Sequence, residues 1–191
     1  MTEDAVVGLS ADVVREACGE RYTGAVLRVE RSGRVIFERA YGSLDANPQA
    51  ARVEVTTPFD LASLTKPFVA TAALRAAAAG TLGLDAPLAE SLPEWRRRSQ
   101  ARITPRMLLA HVSGMQSGAD YRTLFDRDVE KFALECELAA RPGERVIYSD
   151  LGFIALGVAL ARSGARSLAT IARETLDALR CEATAYEARG E

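Results

Sequence analysis

Two runs rich in β-branched and aromatic residues, 24–30 (Gly-Ala-Val-Leu-Arg-Val-Glu) and 34–41 (Arg-Val-Ile-Phe-Glu-Arg-Ala-Tyr), flank Arg31, Ser32 and Gly33. They predict a β-hairpin. A lone hairpin is marginal in water and needs further strands or a helix over its apolar face. Before it, Ser10 as N-cap with Val13, Val14 and Ala17 on one face predicts a short helix over 10–19. After it, residues 42–57 with Asn47-Pro48 read as a polar loop. The pattern then changes period. An alanine-rich stretch from Phe68 to Ala79 predicts a buried helix stopped by Gly80. Pro67 is tolerated only in a first turn, so that helix starts close to Ser63. Residues 81–102 read as irregular, with Pro87 and Pro93 as breakers. Thr104-Pro105 opens a short helix over 106–112, ended by Gly114. A further helix is expected within 121–140, then a turn at 141–144 and a short extended piece at 146–148. Ser149 or Asp150 caps a helix to about Ser163, and Ser167 caps a last one from Leu168 to about Arg180. The order predicts an α+β fold, an N-terminal antiparallel hairpin with a helix-rich region. It is read as one domain over 1–191, the hairpin at 20–45 and the helical part at 58–180.

A net charge of −2 offers little counterion-release affinity, so nucleic acid is not an expected partner. The one basic cluster, Arg96, Arg97 and Arg98, reads as a solvated loop beside Trp95. Cys18, Cys136 and Cys181 are odd in number and form no CxxC pair, which argues against a disulfide framework or zinc site and fits a reducing compartment. His111 is the only histidine, so a histidine-rich metal site is excluded. The acidic N-terminus lacks a basic region followed by an apolar run, and the apolar stretches are broken by Arg or Gly short of a membrane span. The expectation is a soluble, cytoplasmic chain without a membrane partner.

Ser63-Leu64-Thr65-Lys66 sets a hydroxyl and an amine three residues apart, on one helical face and within hydrogen-bond reach. A serine hydroxyl needs a base, and a lysine serves as one only if its pKa falls towards neutrality. Burial and the positive end of a helix dipole both push that way, and Phe59, Leu61, Ala62, Leu64, Phe68 and Val69 make apolar surroundings. The helix start also directs the Ser63 amide to where an oxyanion would form. The chain has two lysines against 22 arginines. About one such Ser-x-x-Lys spacing is expected by chance in every ten chains of this composition, so the motif is moderate support. An N-cap serine with a snorkelling lysine is the other reading of the same residues.

In context, the chain resembles the serine β-lactamase and penicillin-binding-protein superfamily, nearest its class C β-lactamase and esterase branch. The likeness runs through the hairpin at 24–41, Phe59-Asp-Leu-Ala-Ser-Leu-Thr-Lys66, Gly83-Leu-Asp-Ala-Pro-Leu88, Ile103 to Gly114, Arg141-Pro-Gly-Glu144 and Tyr148-Ser-Asp-Leu-Gly-Phe153. The resemblance implies that Ser63 forms an acyl-enzyme, Lys66 acts as base and Tyr148 relays protons. Asp150 stands where the family more often has Asn. A carboxylate there can accept from Lys66 but cannot donate to substrate, and it raises the lysine pKa. By resemblance His111 is structural, holding its loop through Ser113 and Gly114. No G-x-S-x-G elbow supports Ser-His-Asp chemistry.

The family's third motif, Lys-Thr-Gly or His-x-Gly on a later strand, has no match after residue 153, so the chain reads as the N-terminal part of a longer member. A serine hydrolase is therefore expected, acting without cofactor on a small ester or amide: a β-lactam, D-peptide or carboxylic ester. A truncated non-catalytic remnant or ligand-binding module of the same fold is the alternative. An open hairpin edge would favour self-association or a complementing C-terminal half.

Overall fold

A computed structural model describes residues 2–118 and 128–186. The chain forms two compact units, residues 1–59 and 60–191.

The first unit opens with α1, Glu3–Ala17, capped by Thr2, whose side chain accepts from the Ala5 amide. The helix thus starts well before Ser10, which sits inside it and donates to the Val6 carbonyl at 2.9 Å. The start signal was Thr2 followed by two acidic residues, which suit the positive end of the helix dipole. Strands β1, Gly24–Arg31, and β2, Arg34–Gly42, pair antiparallel, Gly24 opposite Gly42 and Arg31 opposite Arg34, with a bulge between Val29 and Glu30. The turn is two residues rather than three. Ser32 and Gly33 both have positive φ, 50° and 76°, which twists a two-residue turn to match its strands. Val53 is the buried hydrophobic residue of this unit among those described.

The second unit is helical. Residues 62–64 form one 3-10 turn leading into α2, Thr65–Ala78. Then come α3, Pro105–Leu109, capped by Thr104, and α4, Val129–Glu135, capped by Asp128. The part of the expected helix over 121–127 lies outside the described residues. Helix α5, Asp150–Gly164, is the core of the unit, buried at Leu151–Phe153 and Ala155–Leu160. Its neighbours are α2, α3, α4 and α6, Leu168–Ala178. The supposedly irregular stretch 81–102 contributes more to this core than its pattern suggests. Leu88, Leu92 and Trp95 are fully or almost fully buried there, and the Trp95 indole donates to the Leu134 carbonyl at 2.9 Å. The three arginines at 96–98 are exposed. No single helix among the described residues is long and apolar enough to cross a membrane.

Candidate active site

The candidate site begins at the entry to α2. The Asp60 carboxylate accepts the Ala62 amide at 2.8 Å, a local turn that holds Ala62 at a φ of 44°. A left-handed residue without glycine's freedom costs about 1–2 kcal/mol, so the turn immediately before Ser63 carries strain. Ser63 then lies in the 3-10 turn and Lys66 in the first turn of α2. The lysine Nζ comes back to 3.2 Å from Ser63 Oγ. Pro67 fits because its missing N–H is one that a helix start leaves unpaired.

The opposite wall is built by two distant segments laid side by side. Gly143 donates to the Val112 carbonyl at 2.7 Å, Ile147 to the His111 carbonyl at 2.8 Å, and Asp150 to the Ser117 carbonyl at 2.8 Å. Ala139 donates to the Gly114 carbonyl at 2.8 Å. Gly114 is required at that crossing: its φ is 77°, and an added Cβ would stand 2.1 Å from the Ala140 oxygen. The stretch 146–148, expected as extended, is held to the His111 loop by these single bonds and joins no strand. Ser149 caps α5 by accepting the Gly152 amide at 3.0 Å, and its hydroxyl donates to the Gln116 carbonyl. This seam sets Tyr148 just outside the helix and Asp150 as its first residue.

The walls meet at Lys66. Its Nζ is ion-paired to the Asp150 carboxylate and lies 4.6 Å from the centroid of the Tyr148 ring and 5.8 Å from that of Phe153. The lysine side chain is 13% exposed and that of Asp150 38%. His111, at a φ of 56°, accepts the Ser149 amide on Nδ1 at 3.1 Å. Its ring stands 4.6 Å from Tyr148 and 5.2 Å from Phe153.

The protonation balance differs from the depressed lysine that the apolar neighbours predicted. Burial pulls Lys66 down, but hydrogen bonds with Asp150 and Tyr148, together with their charges, lift it above its ordinary value. Hydrogen bonds from Lys66 and Ser63, helped by the lysine charge, hold the Tyr148 phenol below its ordinary value despite an opposing push from Asp150. His111 is lowered, first by burial and then by the Lys66 charge. The cluster thus pairs a firmly charged ammonium with an acidified phenol beside a serine hydroxyl.

Ser63, Lys66, Tyr148 and Asp150 are therefore brought together around one ammonium, and His111 packs on Tyr148. Gly114 stands behind them in the supporting loop. Asp60 and Phe153 also shape the site and were not singled out from sequence, and Ser149 was read there only as a helix cap. Of the first two, Asp60 had a local signal, a carboxylate two residues before an amide it can cap. The beta-lactamase family model matches residues 11–187. The chain belongs to the beta-lactamase family. Among the proteins it is similar to, Esterase EstB of Burkholderia gladioli is 45% identical over 100 residues, which is 50% of this chain and 25% of that protein. Protein flp of Staphylococcus aureus (strain N315) is 28% identical over 144 residues, 71% of this chain and 29% of its own. A solved structure titled "EstCE1, a hydrolase with promiscuous acyltransferase activity" superposes with a TM-score of 0.76 at 26% identity, covering 93% of this chain and 52% of that one. The D-alanine carboxypeptidase AmpC from Burkholderia cenocepacia has a TM-score of 0.76 at 22% identity, a likeness of fold, over 96% of this chain and 50% of that one. This beta-lactamase family chain spans between a quarter and about half the length of these relatives.

Proposed function

We propose that the chain carries the nucleophile and proton relay of a serine hydrolase that cleaves an ester or amide through an acyl-Ser63 intermediate. The observation that carries this reading is Lys66 Nζ at 3.2 Å from Ser63 Oγ, with the same ammonium over the Tyr148 ring and paired to Asp150. Lys66, held charged, is poorly suited to take a proton. Tyr148, held acidic, is the better acceptor. In the acylation step, Ser63 Oγ gives its proton to the ionised phenol as it attacks the carbonyl carbon. The tetrahedral intermediate collapses by breaking the bond to the leaving alcohol or amine, which takes that proton back from Tyr148. Water attacks the acyl-serine by the same relay and restores Ser63. Lys66 stays charged throughout and favours the phenolate by direct attraction, holding the Tyr148 pKa below its ordinary value. Carboxylic esters are the first substrate class to test, a choice supported by the 45% identity to Esterase EstB over 100 residues.

The test is intact-mass spectrometry after a fluorophosphonate probe, in which Oγ forms a bond to phosphorus and fluoride leaves. One adduct is expected on the wild-type chain and none on Ser63→Ala. Tyr148→Phe should slow labelling by about 10²–10⁴-fold, the usual worth of a general base. A folded chain that takes no adduct would move the reading to a non-catalytic binding module of the same fold.

A further inference from the structure

Three of the groups that set Tyr148 in place are bound by one residue outside the relay. The Ile147 amide donates to the His111 carbonyl at 2.8 Å, and the Ser149 amide donates to its Nδ1 at 3.1 Å. Between those two amides, the Tyr148 ring lies 4.6 Å from the imidazole. Tyr148 itself is 49% exposed, and besides its contacts with Lys66 and Ser63 its ring rests on the imidazole. An Nδ1 that accepts an amide proton must be bare, which requires the neutral imidazole protonated on Nε2. Protonating Nδ1 turns this acceptor into a donor facing another donor.

We infer that His111 is a positioning residue for the proton relay: its bare Nδ1 and its ring face hold Tyr148 towards Ser63, and protonation of this one imidazole releases that alignment. The inference rests on the acyl-serine reading for its rate consequence but not for its structural one. The charged and titratable groups facing the ring are Lys66 from α2, Asp150 from α5 and Tyr148 from the segment before it. Burial and the Lys66 charge both favour the neutral ring, so the release is expected below its ordinary pKa of about 6.5. Misplacement of a reacting group by about an ångström can cost around 10²-fold in rate, so the effect is measurable.

Because His111 is the chain's only histidine, its titration can be followed without assignment ambiguity. By NMR, the Ser149 amide and the Tyr148 ring signals are expected to move with the midpoint of the His111 imidazole. Fluorophosphonate labelling should fall more steeply below that midpoint, losing about one further tenfold per pH unit beyond the fall due to Tyr148 alone. His111→Asn tests the mechanism: Asn tolerates the left-handed backbone and its amide oxygen can take the place of Nδ1, but it does not titrate. That variant should label near the wild-type rate at neutral pH and lose the added steepness, whereas His111→Ala should label about tenfold or more slowly at every pH. Signals of Ser149 and Tyr148 that ignore the His111 midpoint would overturn the inference. So would an acid limb that stays steep in His111→Asn. If the wild type takes no adduct at any pH, the hydrolase reading fails by itself, and the NMR titration still decides whether His111 holds Tyr148.

Discussion

Replacing the carboxylate at position 150 by its isosteric amide alters the charge balance around Lys66 while leaving the shape of the site intact. The lysine loses the negative charge that lifts it and keeps only a neutral amide oxygen as acceptor, and Tyr148 loses the one charge that opposes its acidity. Asp150→Asn is therefore expected to move the acid limb of the labelling profile, the rise set by ionisation of Tyr148, to lower pH. Its stability cost should be modest, about 1 kcal/mol, because the Asp150 side chain is 38% exposed and solvent screens the pair. The pH dependence of that cost has a definite sign. A lysine whose folded pKa is raised contributes its stability in full below its ordinary value of about 10.5, and loses it as pH climbs through the folded value. Urea midpoints taken from pH 7 to pH 11.5 should decline at the alkaline end for the wild type and decline less for Asp150→Asn. An unchanged alkaline decline would show that the pair does not hold Lys66 above its ordinary value.

At the scale of elements, the site depends on how α5 begins. Ser149 is 1% exposed, caps the helix through Gly152 and donates to the Gln116 carbonyl, so Ser149→Ala removes a cap and leaves a carbonyl without its donor. A lost cap costs about 1 kcal/mol and an unsatisfied buried group about 1–3 kcal/mol. A lowered urea midpoint with slower Ser63 labelling is expected, since Tyr148 and Asp150 flank the substituted residue. Gly114→Ala should be harsher, because the new Cβ meets a backbone oxygen at 2.1 Å in a left-handed conformation. Loss of the folded signal at ambient temperature is the expected reading. These elements also show what the sequence could reveal. Helix starts at Thr104, Ser149 and Ser167, and the early start of α2 ahead of Pro67, were legible because capping and proline chemistry are local. The α1 start was not, because Ser10 offered a second cap inside a helix that Thr2 begins. The left-handed Ala62 and the seam between residues 111–117 and 139–150 arise from long-range pairing with no periodicity to betray it. The Ser63, Lys66, Tyr148 and Asp150 set was legible only because spacing and resemblance named its members. Their shared geometry around one ammonium came from the fold.

At the scale of the whole chain, the two units differ sharply in how much apolar surface each buries. The second has a contiguous core running from Ala72 to Ile171, whereas Val53 is the buried hydrophobic residue described in the first. Helix α1 is apolar on two sides. Val7, Ala11, Val14 and Ala17 are partly buried, while Val6, Leu9 and Val13 form a second stripe that is 43%, 57% and 65% exposed. The sheet adds to this, since β1 and β2 pair only with each other among the described residues, so each keeps an open edge. Large exposed apolar side chains and the open edges of a two-stranded sheet both favour association over solvation. We expect this 20.5 kDa chain to self-associate through the α1 stripe, its mass by light scattering rising from monomer towards dimer as concentration approaches about 100 µM. Leu9→Gln combined with Val13→Gln should hold it monomeric without disturbing Ser63 labelling, because both positions are exposed and glutamine keeps helix propensity. Hydrogen exchange supplies the independent check. The β1–β2 amides should exchange far faster than those of α5 in the monomeric variant, and slow down in the wild type as it associates. A wild type that stays monomeric throughout, with hairpin amides as protected as those of α5, would mean that the first unit is stable despite its small core and that the stripe attracts no second copy.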